Sequence, residues 1–102
     1  MVIEWLQVRV APELREKYIH KDEEIWTAFL ATCPGFLGKD VWLNPNEPTE
    51  VILVICWATR EQWKSVPPER LEEIERQFVQ AMGETFPIVQ SAEYQIRKFP
   101  QA

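Results

Sequence analysis

The stretch Glu50 to Ala58, EVILVICWA, constrains this chain more than any other. Read as a strand, it alternates Val51, Leu53, Ile55 and Trp57 on one face with Ile52, Val54, Cys56 and Ala58 on the other. Both faces are apolar, and only Glu50, at the start, is charged. Such a strand belongs in the middle of a sheet that is covered on both sides. The remaining chain has to provide that cover, or a second copy does.

The segments before and after it supply a sheet and two helices. Val2 to Val10 reads as a strand, with Val2, Glu4, Leu6, Val8 and Val10 on one face and Ile3, Trp5, Gln7 and Arg9 on the other. Pro12 suits the first turn of a helix that the apolar spacing of Leu14, Tyr18, Ile25 and Phe29 carries from Glu13 to about Thr32. Pro34-Gly35 ends it. Phe36 to Asn44 is of mixed polarity, as an edge strand is, and Asn44 to Thr49 reads as the turn into the central strand. Thr59 caps a short helix over Arg60 to Ser65, with Gln62 completing a capping box. A longer helix follows over Pro68 to Met82, and Gly83 closes it. Ile88 to Phe99 is the last strand.

The order β-α-β-β-α-β gives an α+β, ferredoxin-like chain with a four-stranded antiparallel sheet. One domain over residues 1–102 is expected. In this arrangement the first and third strands are central and both helices pack on one face. The other face stays bare although the central strand is apolar there. A homodimer with its sheets facing each other, a dimeric α+β barrel, is the expectation.

The net charge of -5, with no basic stripe, argues against nucleic acid and against anionic membrane as partners. No apolar run approaches the ~20 residues of a membrane span, and the opening segment does not read as a signal peptide. Two cysteines, Cys33 and Cys56, make no disulfide framework, so a cytoplasmic setting is expected.

Five tryptophans are many for this length. Trp5, Trp26, Trp57 and Trp63, together with Tyr18, are candidates for the wall of a site that binds a small hydrophobic or aromatic molecule, or else for core and interface packing. Asp22 falls inside the apolar arc of the first helix. It is either a proton acceptor lining a cavity or the partner of Arg15 or of a main-chain donor. Glu4 interrupts an apolar face, and it points to the interior or lies near the sheet's end, where water reaches it. Asp22 and Glu4 are the candidate catalytic groups. His20, the one histidine, points away from the apolar stripe and pairs most simply with Glu24. Cys33 lies about 20 Å along the helix from it, so no Cys-His pair forms. No ligand cluster implies a metal, and no cofactor is implied.

PGFLG at 34–38, the proline-bearing turn at 44–49 and VILVICWATREQW at 51–63 together resemble the antibiotic-biosynthesis-monooxygenase-like family, in an uncharacterised branch of it. The resemblance implies a dimeric α+β barrel. Its haem-degrading members use an Asn on the first strand and a Trp and a His on the second helix. Gln7 stands roughly at the first position and Trp63 near the second, but the second helix has no His. Its cofactor-independent quinol monooxygenases use Asn, Trp and Tyr, for which Gln7, Trp63, Tyr18 and Tyr94 are the available counterparts. The functional expectation is a homodimeric module that binds a small aromatic molecule. The alternative is a cofactor-independent monooxygenase acting on an aromatic or polyketide-like substrate.

Overall fold

The computed structural model describes residues 1–98. Four strands, β1 (Val2–Arg9), β2 (Phe36–Asn44), β3 (Glu47–Trp57) and β4 (Ile88–Gln95), form one antiparallel sheet in the order β2-β3-β1-β4. The two most apolar strands are therefore central. Register puts Glu4 opposite Ile55, Leu6 opposite Leu53 and Val8 opposite Val51, so the apolar sets of β1 and β3 fall on a common face.

The connections differ from expectation at three places. The β2–β3 hairpin closes through Pro45 and Asn46 alone, because Asn44 pairs with Glu47 and its side chain accepts from the Asn46 amide at 2.9 Å. β3 is thus longer than its apolar core. β4 ends at Gln95, short of the expected Phe99, which lies outside the described residues. The first helix is not uniform. After a 3-10 turn (Pro12–Leu14) it runs as α1 (Arg15–Lys21), then as a π-helical stretch (Asp22–Thr27), then as α2 (Ala28–Leu30).

Beyond β3 come α3 (Arg60–Lys64) and α4 (Pro68–Met82). Thr59 accepts the Gln62 amide at 3.1 Å as the N-cap. Gly83 closes α4 at φ 87°, a left-handed position that suits glycine.

The helices cover one face of the sheet. Against it Tyr18 packs edge-on to Phe78 at 5.2 Å and to Phe86 at 5.1 Å, over Val8, Val51 and Leu53. A second cluster gathers Leu30, Ile55 and Trp57 with Phe36 and Trp63. The opposite face carries Ile3, Trp5, Gln7, Ile52, Val54 and Cys56, with Trp42 beside Ile52 and Tyr94 beside Ile3. Ile52 and Val54 are buried by their neighbours within the sheet, whereas Trp42 and Tyr94 are more than half exposed. Among the described residues no helix is long and apolar enough to cross a membrane.

Candidate functional site

Between the helices and the sheet lies a cavity of about 670 Å³. Its floor is the alternating set of the central strands: Glu4, Leu6 and Val8 from β1, and Leu53, Ile55 and Trp57 from β3. Tyr18, Asp22 and Trp26 close it from the first helical segment, Glu72, Glu75 and Phe78 from α4, and Trp63, Lys64 and Val66 from α3 and the segment after it.

Asp22 opens the π-helical stretch. A wider turn changes the phase of the residues that follow it, and such stretches often occur at functional sites. Here Asp22 points inward and is 2% exposed. Its partner is not Arg15 but Lys39 of β2, whose Nζ lies 2.6 Å from Oδ2. Arg15 sits 3.9 Å from Glu16 instead. Burial pushes the Asp22 carboxyl up from its ordinary range, and the Lys39 ammonium pulls it back in part.

Glu4 faces the helices, not the water at the sheet's end. Trp57 donates its indole N–H to Glu4 Oε1 at 3.3 Å, and Glu4 shares the cavity floor with Ile55. Burial raises its pKa, against the Trp57 hydrogen bond and the charges of Lys64 and Lys39. Glu75 behaves similarly: burial raises it, and a hydrogen bond from Trp26 opposes the shift. Three carboxyls with raised pKa therefore face one apolar space, and two of them are held by tryptophan N–H donors. A carboxylate of this kind is a stronger proton acceptor than an exposed one. The Tyr18 pKa is raised as well: burial, then the Asp22 charge, keeps its phenol protonated.

Of the residues singled out in the sequence, Glu4, Tyr18, Asp22, Trp26, Trp57 and Trp63 line this cavity and Trp5 does not. Trp5 follows Glu4 on β1, so strand alternation turns it to the helix-free face, opposite Val54. Gln7 lies on that face too and donates to Glu50 at 2.9 Å, and Tyr94 is there beside Ile3. His20 makes its surface pair with Glu24 at 2.6 Å. Sequence reasoning missed Lys39, Lys64 and Glu75. Lys39 alternates in phase with Val41 and Leu43 on β2, which was the available signal for its inward direction. In a second hollow, of about 430 Å³ around Met1, Arg60 and Glu93, Arg60 and Glu93 pair at 3.0 Å. No cluster of three or more His, Cys, Asp or Glu suited to a metal ion occurs among the described residues.

The family described as antibiotic biosynthesis monooxygenase matches residues 1–65. No curated protein matches the chain. Among solved structures, it is similar to a monooxygenase of Streptomyces coelicolor in complex with nanaomycin D, with TM-score 0.74, 13% identity, and coverage of 99% of this chain and 91% of that one. SnoaB, a cofactor-independent oxygenase from Streptomyces nogalater, superposes with TM-score 0.63 at 15% identity over 96% of this chain and 92% of that one. A conserved protein from Methanosarcina mazei Go1 does so with TM-score 0.65 at 12% identity over 92% and 90%. At these identities the likeness is one of fold.

Proposed function

This chain belongs to the antibiotic biosynthesis monooxygenase family, and from there we propose that it is a homodimeric, cytoplasmic protein that binds a small, largely apolar aromatic molecule between its helices and its sheet. The observation that carries this reading is the cavity itself. Its size falls in the range of small-molecule sites, its lining is aromatic and aliphatic, and a few polar groups converge on it. Trp26, Trp57 and Trp63 are among the aromatic side chains that line it. A packed interior would have left no such space. The test is a titration of the protein with planar aromatics, followed by tryptophan fluorescence. Saturable quenching supports the reading, and its absence across a panel of one-, two- and three-ring compounds rejects it.

A second reading, cofactor-independent oxygenation, is favoured by Glu4. A buried carboxylate with a raised pKa can take a proton from an activated CH₂ of an aromatic ligand. The carbanion gives its electrons to O₂, one oxygen enters the product as a carbonyl, and the other leaves as water. Oxygen uptake in step with product formation, lost in Glu4→Gln, supports it. Uptake unchanged in that variant rejects Glu4 as the base.

The dimer reading rests on the helix-free face, where Trp42 and Tyr94 expose aromatic surface beside Ile3, Trp5, Ile52 and Val54. A second copy of the same face is its simplest cover.

A further inference from the structure

Lys39 is the buried one of two cations in an otherwise apolar and acidic space, the other being the exposed Lys64. Its side chain is 3% exposed, it reaches the cavity from an edge strand, and Asp22 is its ion-pair partner among the described residues. An ammonium carries three donors, and one carboxylate does not use them all. Register adds a second relationship. Lys39 and Glu4 both lie opposite Ile55, one on each side of it, so they rise from the same face of the sheet across two strand spacings, roughly 10 Å. A planar ring laid over Ile55 has a cation at one edge and a carboxylate at the other.

We infer that Lys39 is a specificity-determining residue of the cavity, holding an acidic hydroxyl of an aromatic ligand in its ionised form, with Asp22 as the counter-ion that positions it. This rests on the cavity being a ligand site. The balance is a proton transfer. The ligand O–H bond breaks, the electron pair stays on oxygen against the Lys39 ammonium, and the proton goes to a carboxylate of the cavity. Asp22, whose Oδ2 lies 2.6 Å from the Lys39 Nζ, is the carboxylate within reach of that oxygen, and burial favours its protonated form. The net charge of the cavity is then unchanged, and no ion is added to an apolar space. The other charged groups facing it are Lys64 of α3, which lies over the Trp63 ring at 4.0 Å, and Glu72 and Glu75 of α4. Neither glutamate stabilises an anion, and Lys64 is exposed and held over the Trp63 ring beside Glu4, so the buried cation for the task is Lys39.

The probe is alizarin, a planar hydroxyaromatic whose visible spectrum reports its ionisation. Binding is followed by tryptophan quenching and ionisation by the dye's absorbance, at a pH about one unit below the pKa of the free dye. The expected result is at least about half of the bound dye in its ionised form, against about a tenth of the free dye, a shift of at least tenfold in its ionisation constant. Lys39→Met removes the shift and weakens binding by no more than the lost ionisation accounts for, and Lys39→Arg restores both. Because Lys39→Met alone strands Asp22, the double variant Lys39→Met/Asp22→Asn is measured beside it. Bound dye that is neutral in the natural protein overturns the inference, as does an ionised spectrum that persists in the double variant. Absence of saturable quenching in every variant rejects the ligand site itself and the inference with it.

Discussion

Asp22 and Lys39 meet at 2.6 Å with almost no water around either side chain. The pair joins the π-helical stretch to the edge strand β2, so it ties the helical layer to the sheet at the cavity's side. Taking both charges out of water is costly, and their attraction offsets that cost only while both are present. Asp22→Ala or Lys39→Met alone should therefore cost about 3–5 kcal/mol. The double variant Asp22→Asn/Lys39→Met should return to within about 1–2 kcal/mol of the natural protein, since replacing both partners removes the stranded charge. Urea unfolding of the four proteins measures this. Additive losses in the double variant would contradict it.

Glu4 predicts a pH dependence. Its folded pKa lies above the ordinary value of 4.5, so folding takes up a proton there. Its contribution favours the native state at low pH and is lost as pH rises from 4.5 through the folded pKa. Glu4→Gln keeps an oxygen for the Trp57 N–H and removes the charge. Thermal melts should show the variant more stable than the natural protein near neutrality, with the advantage shrinking as pH falls toward 4.5. A constant difference across that window would show that the charge of Glu4 is not the cause.

Gly35 turns the chain into β2 at φ 88°. A Cβ built there would lie 2.6 Å from Cβ of Gln62, inside the capped turn of α3, and would meet its amide oxygen as well. Gly35→Ala combines a strained backbone with a clash, and it should lower stability by more than about 1 kcal/mol. Gly38→Ala, with nothing within 4 Å of its added Cβ, is the control. Equal melting temperatures for the two variants would refute the argument.

For the helix-free face, the natural protein should run at twice its 12.1 kDa mass in light scattering. Trp42→Lys should shift it toward the monomer with its circular dichroism unchanged, because Trp42 is exposed and supports no core of its own chain. A monomeric natural protein at micromolar concentration would remove the dimer.

Most of the fold was legible in the residues because each element announced itself by period. The two-residue alternation of Val2 to Val10 and of Val51 to Trp57, and the capped helices at Thr59 and Gly83, survive in the structure nearly as written. Alternation also separates Glu4 from Trp5, which lies opposite Val54 on the helix-free face, where the interface-packing alternative would have it. The Lys39 contact was not legible. It depends on which edge strand lies under which turn of helix, and a mixed-polarity strand gives no residue-level sign of that. The π-helical stretch was hidden as well, because the spacing of Tyr18, Ile25 and Phe29 fits an ordinary helix.

The most direct test of the central claim uses Leu71, which lines the cavity from α4 and is partly exposed, so a larger side chain there enters the cavity at small cost to the core. Titration of the natural protein and of Leu71→Trp with alizarin should give saturable quenching in the first and at least about tenfold weaker binding in the second, about 1.4 kcal/mol. Equal affinity in the two proteins, or no saturable binding to the natural one, would contradict the assignment of this cavity as the ligand site.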